Sequence, residues 1–160
     1  MMTKHNTKLI AGVMVKTLIP HKDERGFFEE FIRADDPFFK EGFGQWSHSL
    51  MNHHVIKAWH IHKTQIDWWY IARGTVKTAL YDTRKDSETF GVINEFIMGE
   101  NAEHIILKIP PHVAHGVKVL QGPSELMYIT SKIYDTQEEG RIPYDDKTIG
   151  YDWLQDPPRT

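Results

Sequence analysis

The sequence predicts an all-β fold of the sandwich or barrel type. About ten short runs rich in β-branched and aromatic residues follow one another, separated by Gly, Pro, Asn and Asp. No long segment shows apolar residues at the 3.6-residue spacing of a helix. Many short strands at close spacing are typical of β-sandwiches and β-barrels. The 160 residues are 40% hydrophobic, without a repeat or composition shift, so we expect one domain over residues 1–160.

The predicted strands can be placed one by one along the chain. In the first half they are GVMVKTLI (12–19), FFEEFIR (27–33), QWSHSL (45–50), VIKAWHIH (55–62) and WWYIAR (68–73). In the second half they are TVKTALYD (75–82), FGVINEFIM (90–98), HIILKIP (104–110), GVKVLQ (116–121) and ELMYITS (125–131). Gly74 separates two runs, which predicts a tight hairpin there. His53 and His54 fall in a predicted turn, and the polar tail 135–160 is predicted to wrap the outside.

Composition excludes several classes of protein and site. The net charge of −3 argues against non-specific nucleic-acid binding, which needs a basic surface. The chain has no cysteine, which excludes disulfides, thiolate metal sites and cysteine nucleophiles. No signal-peptide pattern is visible at the start, and no apolar run approaches the roughly 18 residues of a membrane helix. We therefore expect a cytoplasmic protein with neither nucleic-acid nor membrane partners.

The stretch KAWHIHKTQID (57–67) contains two histidines two residues apart in a predicted strand. Residues i and i+2 of a strand point to the same face, so His60 and His62 face the same way. This stretch and the run PPHVAH (110–115) resemble the two signature motifs of the cupin superfamily. The resemblance implies a cupin-type double-stranded β-helix, that is a jelly-roll barrel, with a short helical or irregular C-terminal tail.

Metal binding is one function that the cupin resemblance implies. In metal-binding cupins, two His, one acid and a later His hold one divalent ion; the matching positions here are His60, His62, Asp67 and His115. Imidazole nitrogen and carboxylate oxygen suit Fe, Ni, Cu, Zn or Mn. The alternative is that the histidines fill the barrel without a metal, since Asp67 is one methylene shorter than the usual Glu.

A longer resemblance covers about residues 12 to 153. The chain contains the blocks DERGFFEE (23–30), FGQ (43–45), KAWH (57–60), YDTR (81–84), TFG (89–91), EN (100–101), IPPHVAHG (109–116), Tyr134, EG (139–140) and IGYDW (149–153). In their order and near-family spacing, these blocks resemble the dTDP-4-dehydrorhamnose 3,5-epimerase family, which also has the cupin-type fold. The resemblance implies an isomerase that works without a cofactor on a nucleotide-linked 4-keto-6-deoxy sugar.

The family resemblance also implies roles for particular residues. His60 matches the catalytic base and Tyr134 the catalytic acid, which exchange protons at the carbons next to the ketone. Five further residues are expected to bind the substrate, with Lys57 and His115 as candidate donors to the enolate oxygen: Arg25, Glu30, Gln45, Lys57 and His115. Family members are commonly dimers that exchange N-terminal strands, so we expect a homodimer. A role in polysaccharide biosynthesis is likewise expected from the resemblance.

Three positions depart from the family pattern. Lys57 stands where the family has Arg, which removes the two-pronged fork suited to phosphate. Asp67 stands where the family has Lys, and an anion there would repel an enolate. No residue matches the family's late Asp that orients the base; either Asp156, Asp67 or Asp82 substitutes for it, or the base works without an orienting acid.

The sequence therefore leaves three functional interpretations. The first is a sugar-nucleotide epimerase or related isomerase that uses His60 and Tyr134 and no metal. The second is a metal-dependent cupin enzyme with the four-residue ligand set. The third is a sugar-binding cupin without catalysis.

Overall fold

The structure, a computed structural model, describes residues 8–155, and in that range it is all-β as predicted. Apart from one 3-10 turn at Pro37–Phe39, the regular elements are strands, and no α-helix occurs among these residues. The strands are β1 (Met14–Thr17), β2 (His21–Asp23), β3 (Gly26–Phe28), β4 (Gln45–Met51), β5 (Ile56–His62), β6 (Asp67–Asp82), β7 (Ile93–Gly99), β8 (Ile105–Ile109), β9 (Val113–Thr130) and β10 (Glu139–Arg141). Eight of them form one large sheet, and β2 and β3 form a separate hairpin.

The two longest strands, β6 and β9, pair with each other along most of their length and connect two halves of the fold. The start of β6 and the end of β9 lie between β8, with β1 outside it, and β4. The end of β6 and the start of β9 lie between β7 and β5, with β10 outside it. Each long strand therefore belongs to both halves.

The predicted hairpin at Gly74 is wrong, because WWYIAR and TVKTALYD form one continuous strand, β6. The pairing register with β9 shifts between Ile71 and Val76, which is the signature of β-bulges. Gly74 has φ of +74°, and a Cβ at this position would lie 2.5 Å from the carbonyl oxygen of Gln121. Glycine therefore marks a bend within a strand here, where the sequence suggested a turn between strands.

Several predicted boundaries also differ from the observed ones. GVKVLQ and ELMYITS join into the single strand β9. In FFEEFIR only Phe27 and Phe28 belong to a strand, and the rest is irregular. The predicted turn at His53 and His54 is confirmed, and His54 adopts φ of +62°.

The main hydrophobic core lies between the two halves. It joins residues from both ends of the long strands, including Ile71, Leu80, Val117 and Leu126. Trp59, Trp68 and Trp69 are all buried. Burial of these apolar side chains is the main source of stability in a domain of this size.

The tail is irregular rather than helical over its described part, residues 135–155. Its one strand, β10, adds to the edge of β5 in antiparallel register. Ile149 and Trp153 anchor the tail in a second hydrophobic cluster with Trp59. Over residues 8–155, nothing forms a helix of the length and apolarity needed to cross a membrane.

Candidate active site

A cavity of about 270 Å³ opens between the two halves of the fold. Strands β4, β5, β6 and β9 and the tail contribute its walls. Seven residues singled out in the sequence line it: Gln45, Lys57, His60, His62, Asp67, His115 and Tyr134. Side chains that are far apart in sequence therefore meet at one place. A larger cavity, of about 390 Å³, lies against β1 and β8 and contains none of these seven residues.

His60 lines the cavity and pairs with a carboxylate from the tail. Its Nδ1 is 2.8 Å from Oε1 of Glu139 on β10, and its side chain is 30% exposed. The same carboxylate oxygen accepts a hydrogen bond from Nε of Arg141 at 3.3 Å, and Nη2 of that guanidinium lies 3.2 Å from it. The hydrogen bond to His60 and the nearby positive charges outweigh burial and lower the pKa of Glu139. Glu139 is therefore an ionised acceptor.

His62, two residues further along β5, belongs to a separate, buried cluster. Its Nε2 lies 3.6 Å from Oδ2 of Asp67, and Nε2 of His115 lies 3.8 Å from the same oxygen. The rings of His62 and His115 have their centres 5.3 Å apart. Asp67 also accepts hydrogen bonds from Gln65 at 2.8 Å and from the Trp69 indole at 3.1 Å. A carboxylate that is nearly fully buried is thus surrounded by four donors or imidazoles.

Burial and charge set different protonation states within this cluster. Burial alone would lower the pKa of His62 and raise that of Asp67, but their close contact and opposite charges reverse both shifts. The pair therefore favours imidazolium and carboxylate. For His115, complete burial outweighs the attraction of Asp67 and lowers its pKa to about 4. Its Nδ1 donates to the carbonyl of Val113 at 3.0 Å, which leaves Nε2 as an acceptor at neutral pH.

Three other candidates occupy the rim of the cavity. Lys57 donates from Nζ to the Ser49 hydroxyl at 2.9 Å. Gln45 accepts a hydrogen bond from the backbone N–H of Tyr134 at 3.0 Å, which ties the tail to β4. The Tyr134 residue is 63% exposed, so its ring lies at the mouth rather than in the floor.

Arg25 and Glu30 do not line this cavity. Arg25 lies at the exposed end of the β2–β3 hairpin, where its Nε is 3.2 Å from Asp23. Glu30 follows the hairpin and pairs with Arg33 at 3.4 Å. Both therefore remain predicted substrate contacts, and this chain alone does not bring them to the predicted base.

The expected substitutes for the orienting acid are engaged elsewhere. Asp67 is held in the buried cluster. Asp82 accepts hydrogen bonds from Arg84 at 2.7 Å, Ser87 at 2.7 Å and Thr89 at 2.6 Å, and these lower its pKa despite burial. The YDTR and TFG blocks therefore build a structural network. Asp156 lies outside the described residues.

Glu139 and Arg141 are the charged residues of the site to which sequence analysis gave no role. Both lie on β10, a three-residue strand in a segment expected to be a wrap around the outside. The EG block was recognised as similar to the family. Only the pairing of β10 with β5 shows that its Glu139 side chain reaches His60. A short edge strand of this kind leaves no periodic pattern in the sequence.

A family model described as dTDP-4-dehydrorhamnose 3,5-epimerase matches residues 7–160 of the chain. The chain is 45% identical to the spore coat polysaccharide biosynthesis protein SpsL of Bacillus subtilis, over 91% of this chain and 97% of that protein.

Solved structures agree in fold. A dTDP sugar isomerase from Desulfovibrio desulfuricans superposes with a TM-score of 0.86 at 26% identity, covering 92% of this chain and 94% of that one. The epimerase RmlC of Legionella pneumophila, solved in complex with dTDP-4-keto-L-rhamnose, gives a TM-score of 0.82 at 26% identity. It covers 98% of this chain and 85% of that one. These likenesses confirm the cupin-type fold.

Proposed function

The chain belongs to the dTDP-4-dehydrorhamnose 3,5-epimerase family and is therefore a nucleotide-sugar epimerase, and on that premise we propose how its cavity works. The substrate is a dTDP-linked 4-keto-6-deoxy sugar, as the ligand of the Legionella relative suggests. The observation that supports this most directly is that the predicted base, His60, and the predicted acid, Tyr134, line the same cavity. The resemblance to SpsL supports a place in polysaccharide biosynthesis.

The reaction needs only proton transfers. His60 removes a proton from a carbon next to the ketone: the C–H bond breaks, the proton moves to Nε2, and the electron pair forms an enolate with its charge on the C4 oxygen. Tyr134 then gives its hydroxyl proton to the opposite face of the same carbon. Solvent returns a proton to the tyrosine and removes one from the histidine, so the enzyme is unchanged after each inversion.

Lys57 is the side chain that we propose stabilises the enolate. It is a cation at the rim, and its amine keeps donors beyond the one used by Ser49. His115 was predicted to share this role, but its Nε2 carries no hydrogen in the neutral state that burial favours. His115 is better suited to accept a hydrogen bond from a sugar hydroxyl.

We propose that the protein acts as a homodimer and without nucleic-acid or membrane partners. The cavity, at about 270 Å³, is slightly smaller than the roughly 300–1,000 Å³ typical of ligand pockets, which suits the sugar and leaves the nucleotide at the mouth. Exchange of N-terminal strands would bring Arg25 and Glu30 to the partner's mouth. The exposed rings of Phe27 and Phe28 on the same hairpin support this, because large exposed apolar side chains mark contact surfaces.

A divalent metal is the second candidate, because ligand atoms of His62, Asp67 and His115 all lie within 4.8 Å of one another. These residues fit a metal that favours two imidazoles and one carboxylate. His60, the fourth predicted ligand, is instead paired with Glu139. If a metal binds there, it would supply a Lewis acid for the ketone oxygen.

Solvent-exchange NMR tests the proposal. The protein is incubated with dTDP-4-keto-6-deoxyglucose in heavy water, with and without a chelator. We expect deuterium at C3, at C5 or at both, at the same rate in both samples. Loss of exchange with chelator, restored by added metal, would favour the metal-dependent enzyme. Binding without any exchange would identify a sugar-binding cupin.

A further inference from the structure

We infer that Glu139 is the positioning residue of the base, which holds His60 in the tautomer with hydrogen on Nδ1 and leaves Nε2 free to take the substrate proton. This inference rests on the proposed function and deepens it. It supplies, from strand β10, the orienting acid for which the sequence offered only Asp67, Asp82 and Asp156.

The contact has the geometry of a strong hydrogen bond. The distance from Nδ1 to Oε1 is 2.8 Å, and hydrogen bonds to an ionised acceptor are short and strong. Because a carboxylate can only accept, the hydrogen must be on Nδ1. The Glu139 side chain is 15% exposed against 30% for the imidazole, so the acid lies deeper than the base it holds.

Strand pairing explains why Glu139 reaches the base. β10 runs antiparallel to β5, with Arg141 opposite His60 and Glu139 opposite His62. Between them, Gly140 lies opposite Ile61, and a Cβ on Gly140 would lie 2.8 Å from Cγ2 of Ile61. The missing side chain therefore lets β10 approach β5 closely enough for the carboxylate to reach the ring.

Arg141 makes the arrangement more specific. Its guanidinium contacts the same oxygen, Oε1, that accepts from His60. A neighbouring cation keeps the carboxylate ionised, and therefore an acceptor, while His60 passes between its neutral and charged forms. When His60 takes the substrate proton, the carboxylate stabilises the imidazolium that results.

The neighbouring carboxylate of Glu138 provides a matched control. Glu138 accepts hydrogen bonds from the Thr64 hydroxyl and from the backbone N–H of Gln65, each at 2.8 Å. It lies one residue from Glu139 on the same segment and makes no contact with His60. Glu138→Gln therefore reports what the loss of a charge in this segment does by itself.

The test uses two readouts on wild type, Glu139→Gln, Glu139→Asp and Glu138→Gln. The first is the ¹⁵N NMR spectrum of the His60 ring without substrate, which reports the tautomer independently of activity. The second is the rate of deuterium incorporation, separated into kcat and KM. We expect Nδ1–H in wild type and in Glu138→Gln. In Glu139→Gln we expect a shift toward Nε2–H and a fall in kcat of at least about tenfold with KM unchanged, because an amide can donate to Nδ1.

Glu139→Asp keeps the charge and is expected to retain the Nδ1–H tautomer in part, with an intermediate kcat. This variant also keeps the inference testable if the glutamine variant does not fold. An unchanged tautomer and kcat in Glu139→Gln would overturn it, as would a wild-type ring protonated mainly on Nε2. If wild type exchanges no deuterium at all, the proposed function fails, whereas the tautomer result still decides whether Glu139 orients the ring.

Discussion

Two histidines that lie two residues apart on β5 each pair with a carboxylate, but the two pairs differ in distance and in exposure to solvent. His60 meets Glu139 near the mouth of the cavity, at 2.8 Å and with 30% of its side chain exposed. His62 meets Asp67 at 3.6 Å, with 13% and 4% of the two side chains exposed. Sequence spacing makes the two histidines look equivalent, and the strands packed beside them make them different.

The difference indicates which pair can carry out chemistry. An accessible imidazole can exchange protons with a substrate and with water. In the buried pair, the His62 imidazolium and the Asp67 carboxylate compensate each other's charge. If His62 gave its proton to a substrate, the carboxylate would be left in the interior without a counter-charge. We therefore assign proton transfer to the His60–Glu139 pair and a structural role to the His62–Asp67 pair.

The largest expected change is in stability, on replacing Asp67 by Asn. This leaves His62 without its counter-charge, and removing one partner of a buried pair costs about 3–5 kcal/mol. Urea unfolding followed by tryptophan fluorescence measures it. Glu139→Gln, in the more exposed pair, should cost less than about 1 kcal/mol. If the two variants lose stability equally, the comparison between the pairs fails.

Tyr134→Phe is expected to change activity and not stability. Removal of a general acid lowers kcat about 10²-fold, whereas an exposed hydroxyl contributes less than about 0.5 kcal/mol to folding. Deuterium incorporation and urea unfolding measure the two effects. Tyr144→Phe is the control, since Tyr144 is also exposed and does not line the cavity. Equal activity in both variants would remove Tyr134 from the mechanism.

A smaller effect is expected for Lys57→Met, which keeps the length of the side chain and removes its charge. Loss of one exposed donor to the enolate should lower kcat about tenfold, or ~1.4 kcal/mol. The control is Lys63→Met, because Lys63 donates to the Gln137 carbonyl outside the cavity. Steady-state kinetics would contradict the assignment if both variants retained the wild-type kcat.

The last expected effect is a pH dependence of stability that arises in the buried cluster. His62 has a raised pKa, so its contribution is complete below the ordinary value of 6.5 and is lost as the pH rises through the folded value. His115 has a pKa lowered to about 4, so between about 4 and 6.5 the unfolded chain binds the extra proton and stability rises with pH. Together the two contributions peak near 6.5.

Urea unfolding at several pH values, with a chelator present, checks this dependence. His62→Gln should lose the fall in stability above pH 6.5 and keep the rise below it. His115→Gln should show the opposite pattern. A variant curve parallel to that of wild type would remove the corresponding histidine from the explanation.

Much of the fold was predictable because burial imposes a pattern on the sequence. Alternating and continuous apolar runs located most strands, and the motifs around His60 and His115 indicated the fold class that the solved relatives confirm. The failures came where a strand bends without ending. In the sequence, Gly74 and the segment around Gly122 have the composition of turns. In the structure, Gly74 lies within β6 and Gly122 within β9, the two strands that belong to both halves of the sheet.

The sequence predicted most of the residues that line the site, but not which of their side chains contact each other. Seven of the nine residues singled out for catalysis, substrate or metal line one cavity. Which side chains pair with each other depends on differences of less than 1 Å in the distances between their atoms, and sequence spacing does not determine these distances. Thus His60 and Asp67 looked like fellow ligands, but His60 is held by Glu139, and Asp67 is held by His62, Gln65 and Trp69.

The most direct test of the central claim compares His60→Gln with His62→Gln in the same heavy-water NMR experiment with dTDP-4-keto-6-deoxyglucose. The two substitutions are chemically identical and lie two residues apart on one strand. The assignment predicts that His60→Gln stops deuterium incorporation and leaves stability near that of wild type, while the folded fraction of His62→Gln still incorporates deuterium. Continued incorporation by His60→Gln, or its loss only in His62→Gln, would contradict it.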